Sequence, residues 1–357
     1  MTKPIVEKVR EIIVKRNVDC LLFTDPSNIF YISKFKGFEG IALIVPKDEV
    51  PKLYVPKLEY ERALEESKNT EVHVYEEKFE KTIKEALEEC KCSKVGLPYY
   101  KVSFWLISAL SKNSGNIGFV DISKDIMGVR SVKTFEEINA IKKAIKITET
   151  GFAVALESLK EGVKELELAA EIEYAFKTNG SPEVAFPSIV ASGANSALPH
   201  AIASTKPIRK GELIVIDIGA KYEGYCGDLT RTLSLGSISD KLKDVFYAVL
   251  EAQKEAIKNI KPGVKASEID SAARKVLKEY GYEKYFIHSL GHGIGVDVHE
   301  FPRLSSKSDE TLKPGMVVTV EPGVYIKGLG GVRIEDDVLI TESGSTILST
   351  YPRDLII

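Results

Sequence analysis

The sequence predicts an α/β N-terminal domain followed by an α+β domain, and three observations carry that prediction. The chain has 357 residues, a length that suits two domains of ordinary size. Short helical and extended patterns alternate up to about residue 124, after which long helical periods give way to a final stretch of strand and turn. The residues able to do chemistry are also unevenly divided, since four of the five histidines, His200, His288, His292 and His299, lie in the second part. We therefore expect domains at 1–124 and 125–357.

In the first domain, apolar residues recur at helical spacing over 6–14, and the run 20–23 reads as a buried strand ended by Asp25-Pro26. Further strands are expected near 40–45, 53–55, 72–75, 95–97 and 117–120, with helices near 57–67, 79–91 and 102–111. His73 falls on one of these strands and reads as a half-buried residue without a chemical role. Thr134 and Glu137 have capping-box spacing and open a long helix. Helices near 165–178, 239–260 and 267–280 follow, and the last 45 residues read as strand and turn.

Composition narrows the function. With 44% hydrophobic and 28% charged residues, the chain is neither disordered nor fibrous. Its net charge of −3 supplies no basic field for nucleic acid or an anionic membrane. No signal-peptide core follows Met1-Thr2-Lys3-Pro4, and no apolar run approaches the roughly 20 residues of a membrane span, so a cytoplasmic protein is expected. The four cysteines, Cys20, Cys90, Cys92 and Cys226, read as free thiols. Lysine outnumbers arginine and Gln253 is the single glutamine, a drift associated with hyperthermophiles.

Acids follow apolar strand runs in the second domain: Asp217 after 213–216, Glu321 after 316–320, and Glu335 after 332–334. A carboxylate so placed costs several kcal/mol to bury unless a cation meets it. Asp217 and Asp228 are equidistant from the turn 221–224, and Glu321 and Glu335 from Gly328. Two hairpins centred there each present an opposed acid pair, with β-carbons about 4.5–5.5 Å apart. Four such carboxylates repel, and a pair of divalent ions about 3.5–4 Å apart relieves the repulsion. The competing reading is a pair of ion bridges to Arg231 and Arg333. His288 and His292 are four residues apart, but Gly291, Gly293 and Gly295 argue against the helix that a His-x-x-x-His zinc site needs. The same glycines lack the strand-to-helix context of a dinucleotide fingerprint.

Asp217-Ile-Gly, Asp228-Leu-Thr-Arg-Thr, Gly291-His-Gly-Ile-Gly, His299-Glu-x-Pro, Glu321-Pro-Gly and Val332-Arg-Ile-Glu-Asp together resemble the signature of the proline-specific pita-bread metallopeptidases, prolidase and aminopeptidase P. The resemblance spans both domains and implies a creatinase-type N-terminal domain beside a pita-bread catalytic domain. It implies that Asp217, Asp228, His292, Glu321 and Glu335 ligate two divalent ions, Mn or Co before Zn or Fe, with Asp228 and Glu335 bridging. The implied activity is hydrolysis of the Xaa-Pro bond of dipeptides by a hydroxide held between the metals, with aminopeptidase P action on longer peptides as the alternative. Glu321 is then the proton relay, His200 and His299 the donors to the oxyanion, and His200, His288, His299, Arg303 and Arg333 the substrate-facing set. Arg303 is the candidate for a free proline carboxylate, while Arg333 suits either the substrate or the carboxylate network. Methionine aminopeptidases share the five ligands but usually lack the N-terminal domain, and a non-enzymatic pita-bread protein predicts no bound metal. A homodimer is also implied.

Overall fold

The structure is a computed structural model that describes residues 3–112 and 117–353. The chain forms two compact units, Met1–Val129 and Arg130–Ile357. The first holds a mixed six-stranded sheet. Its strands run in the order Glu71–Tyr75, Lys52–Pro56, Ala42–Pro46, Cys20–Phe23, Lys94–Leu97, Gly118–Asp121. The central strand Cys20–Phe23 is buried throughout, which explains its continuous apolar run.

Two features of this unit differ from the sequence expectation. Asp25-Pro26 starts a helix, Pro26–Ser33, rather than merely ending a strand: Asn28 N–H donates to Asp25 Oδ1 at 3.0 Å, and proline occupies the first turn, where its missing N–H costs nothing. Cys20 and Cys92 are also not free thiols but form a disulfide. Cys92 lies just before the strand Lys94–Leu97, which pairs in parallel with Cys20–Phe23, so residues 72 apart in sequence become neighbours. Cys90 and Cys226 are free.

The second unit repeats one theme: a pair of helices covering one face of a sheet. Phe135–Ser158, opened by the Thr134–Glu137 capping box, packs with Glu165–Thr178. Their apolar faces meet the three-stranded sheet of Ile189–Ser192, Leu213–Ile218 and Leu229–Ser234, burying Phe152, Leu168, Ile172 and Phe176 against Ile214, Ile216 and Ile218. Asp240–Asn259 and Ala266–Glu279 cover the five-stranded sheet that contains Val317–Val320 and Asp336–Ile340 in the same way, with Val318, Val320, Val338 and Ile340 in the core.

Strand alternation then decides what the other faces carry. With the even positions 214, 216 and 218 in the helix-side core, Asp217 faces away from it. With 318, 320, 338 and 340 committed to the second core, Thr319, Glu321, Glu335 and Asp337 take the opposite side. The helix-free faces therefore collect the acids. Among the described residues no helix is long and apolar enough to cross a membrane.

Candidate metal centre

Asp217 sits inside its strand, paired with Thr230 across the ladder. The hairpin turns at Glu223-Gly224, where both residues have positive φ, and Tyr222 pairs with Tyr225. The register is thus displaced by two residues from the one expected: Asp217 and Asp228 are not directly opposed but share a face as diagonal neighbours. A two-residue turn with both residues left-handed fits the strand twist better than the four-residue turn inferred from symmetry. The second hairpin has the expected register. Val320 pairs with Asp336 and Gly323 with Arg333, which leaves Glu321 and Glu335 facing each other across the break between these ladders.

His292 comes from the short strand Gly291–Gly293. A β-carbon on Gly291 would lie 2.1 Å from the carbonyl oxygen of Thr319, and one on Gly293 would lie 2.3 Å from that of Phe301. The flanking glycines therefore let this strand press between its neighbours. Nδ1 of His292 is 3.1 Å from the Gly293 carbonyl, an orientation that turns Nε2 toward the acids. Nε2 lies 3.2 Å from Glu321 Oε1 and 3.7 Å from Asp228 Oδ2. Asp228, His292 and Glu335 each bring one donor atom to within 4.8 Å of the other two.

Around this centre the buried oxygens Asp217 Oδ1, Glu335 Oε1 and Asp337 Oδ1 have no hydrogen-bond partner. Burial, then the neighbouring carboxylates, hold Asp228 and Glu335 well above the ordinary carboxylate range. Asp337 is pushed up to about 8, chiefly by burial. Glu321 goes the other way: burial opposes its ionisation, but the hydrogen bond and charge of His292, with His288 and Arg333, bring it to about 2. Converging buried acids with unpartnered oxygens and one imidazole are the donor set a divalent cation requires, so the residues present fit the metals.

The remaining predicted residues surround this centre. Arg333 is buried, and its guanidinium donates to Asp217 Oδ2, to the Tyr325 hydroxyl at 2.7 Å, to Thr230 Oγ1 at 3.2 Å and to the Pro199 carbonyl at 3.3 Å. It is bound up in the network on every side. Arg231, the other cation offered as an ion-pair partner, instead binds Asp336 on the helix side. His288 Nε2 lies 3.0 Å from the Tyr325 hydroxyl, and burial lowers its pKa. His299 is exposed at the rim with its ring 4.4 Å from that of His292, edge to face; desolvation, then His292, lower its pKa. His200 is exposed beside Pro199, and its charge is felt by both His288 and His299. Arg303 is exposed, pairs with His292 across the strands and donates through Nε to Ser289 Oγ at 3.1 Å.

Three residues of the centre escaped the sequence reading. Thr230 donates to Glu335 Oε2 at 2.6 Å, Asp337 accepts the Asp228 N–H at 3.2 Å, and Tyr325 links His288 to Arg333. All three were within reach of strand alternation: Thr230 is two residues from Asp228, Asp337 two from Glu335, and Tyr325 four from Glu321.

Residues 139–342 match the model of metallopeptidase family M24, and residues 5–132 match the creatinase/prolidase N-terminal domain. The chain belongs to metallopeptidase family M24. This M24 metallopeptidase is 44% identical over 351 residues to the Xaa-Pro dipeptidase of Pyrococcus furiosus, covering 98% of this chain and 99% of the relative. It superposes on the crystal structure of the prolidase from Pyrococcus horikoshii with a TM-score of 0.94 at 42% identity, covering 99% of this chain and 100% of that one. For the X-Pro aminopeptidase of Thermotoga maritima the TM-score is 0.92 at 37% identity, with 99% of each chain covered. The creatinase-type N-terminal domain and pita-bread catalytic domain of these relatives are therefore the fold of this M24 metallopeptidase. Family membership implies divalent metal ions.

Proposed function

We propose that this M24 metallopeptidase is an Xaa-Pro dipeptidase of the prolidase type, with two divalent ions held by Asp217, Asp228, His292, Glu321 and Glu335. The reading is supported by Asp228, His292 and Glu335 gathered within 4.8 Å, with Glu321 beside His292 and unpartnered buried oxygens on Asp217 and Glu335, in a chain similar over nearly its whole length to an Xaa-Pro dipeptidase. Bound there, the ions supply Lewis acidity toward the scissile carbonyl and bring the ionisation of water near neutral pH.

The protein's own groups do the rest. Glu321, whose Oε1 lies 3.2 Å from His292 Nε2 at the centre, takes the proton of the attacking water and delivers it to the departing proline nitrogen. His200 and His299, both at the open rim, donate to the carbonyl oxygen as it gains charge. His288 is held by Tyr325 facing the same space. Arg303, across the strand pair from His292, receives the free carboxylate of the proline and selects dipeptides. Arg333 serves the site by holding Asp217, because its donors are already bound to chain atoms.

Oxygen-rich ligands with one imidazole suit Mn or Co, with Zn and Fe accepted by the same donor set. The active form is a homodimer in the cytoplasm. A disulfide is compatible with that compartment in proteins of hyperthermophilic character, which the Lys-rich, Gln-poor composition favours. The similarity to an X-Pro aminopeptidase supports a second reading, removal of the N-terminal residue from longer Xaa-Pro peptides. Relative kcat/KM on Leu-Pro and Leu-Pro-Gly, with chelated protein as control, distinguishes the two and detects neither activity if both fail.

A further inference from the structure

The loop that carries the two facing imidazoles, His292 and His299, is closed by a knot of buried charge to which the mechanism above gives no role. The Glu300 side chain, 5% exposed, receives Nη2 of Arg130 and, at 3.1 Å, Nζ of Lys133, whose side chains are 4% and 1% exposed. The same Nη2 reaches Asp297 Oδ2 at 2.9 Å, and the Asp297 N–H donates to Glu300 Oε1 at 3.1 Å. Both ends of the four-residue segment 297–300 are thereby fastened to one guanidinium, with His299 inside the segment.

Two more contacts tie the knot to the metal-ligand elements. A β-carbon on Gly295 would lie 2.6 Å from Glu300 Oε2, so the carboxylate fills space that this glycine leaves open. The Gly295 carbonyl accepts the N–H of Cys226 at 2.8 Å, in the hairpin that leads to Asp228. Glu300 pairs with Gly293, the residue after His292, and begins the strand Glu300–Leu304. The segment bends at 295–299 and becomes a strand only at Glu300, so with Asp297 and Glu300 both held by Arg130 the backbone on either side of His299 is fixed, and its ring rests 4.4 Å from that of His292. A buried ion cluster contributes little net stability relative to apolar packing, and conformational specification is its better attested use.

We propose that Glu300, held by Arg130 and Lys133, is a positioning residue that sets His299 against His292 and thereby against the scissile carbonyl. The proposal rests on the peptidase reading for the role of His299. The test is a kinetic cycle in the metal-loaded enzyme: Glu300→Gln, His299→Ala and the double variant, assayed on Leu-Pro. Glu300→Gln should lower kcat about ten- to a hundredfold, the effect of an ångström-scale misplacement, with KM and metal stoichiometry unchanged. In the His299→Ala background the same substitution should change kcat less than about twofold, since the two act as a unit.

An equal loss in both backgrounds overturns the proposal, because the carboxylate then acts without His299. If Glu300→Gln does not fold, Lys133→Met, which leaves the Arg130–Glu300 pair in place, is run through the same cycle and read by the same criterion. A protein that cleaves no Xaa-Pro substrate at all contradicts the peptidase reading instead. In that event the imidazole NMR signals of His299 decide: a shift in Glu300→Gln supports the positioning role, and an unmoved signal overturns it.

Discussion

Thr230 donates its hydroxyl to Glu335 Oε2 at 2.6 Å and stands opposite Asp217 in the strand register, so one small residue lies beside ligands from both hairpins. The other oxygen of Glu335 has no partner and is directed by this single bond. Thr230→Val keeps the shape and removes the donor. Metal affinity should fall about tenfold to a hundredfold, as for other groups that orient a ligating carboxylate. Thr230→Ser should restore it. Metal titration by calorimetry reads the difference, and unchanged affinity in the valine variant contradicts the role.

Asp228→Asn and Glu335→Gln each remove one charge from the centre. Both should abolish turnover at saturating metal while leaving the circular dichroism spectrum intact. Retention of more than about a tenth of the wild-type kcat by either variant is inconsistent with a bridging ligand, whose loss should cost several kcal/mol of transition-state stabilisation.

How much of this was legible in the sequence depended on whether the relevant contact was local. The Thr134–Glu137 cap was, because both partners lie within one turn. The faces of the acids were also legible, since alternation alone puts Asp217, Glu321 and Glu335 away from the helices. The register at Glu223-Gly224 was not: it depends on which residues accept left-handed backbone, and symmetry about the acids placed the turn wrongly. The helix at Pro26 was overlooked because Asp-Pro marks a turn as well as a cap. The Cys20–Cys92 pairing depends on two adjacent parallel strands, which cysteine spacing cannot reveal.

That disulfide gives a simple count. In denatured, unreduced protein a thiol reagent should label two cysteines, Cys90 and Cys226, rather than the four that spacing suggested. Intact mass after alkylation reads it directly. Because the bridge closes a separation of 72 residues, reduction should also destabilise the first unit by roughly 2–4 kcal/mol.

Acid crowding predicts a pH dependence of opposite sign from that of ordinary ion-paired acids. Asp228, Glu335 and Asp337 have folded-state pKa values above their unfolded ones, Asp337 reaching about 8. Above about pH 5 these three groups bind more protons in the folded chain without metal than in the unfolded chain, so its stability should fall as pH rises from about 5 toward 8, whereas Glu321, held at about 2, acts in the opposite sense only at lower pH. Metal needs Asp228 and Glu335 deprotonated, so the gain in Tm on adding Mn should grow between about pH 5 and 8. A gain independent of pH across that interval contradicts the assignment.

Arg303→Ala separates recognition from chemistry. The KM for Leu-Pro should rise about tenfold to a hundredfold with kcat little changed, corresponding to the roughly 1.5–3 kcal/mol of a charge-assisted hydrogen bond. A fall in kcat alone would remove Arg303 from carboxylate recognition.

The central claim, a metal-dependent dipeptidase whose Arg303 takes the free proline carboxylate, is tested most directly by kcat/KM for Leu-Pro against Leu-Pro-Gly on chelated and Mn-reloaded protein. The account predicts no turnover after chelation, full recovery on reloading, and a preference of at least about tenfold for the dipeptide. Equal or faster cleavage of the tripeptide, or turnover that survives complete metal removal, contradicts it.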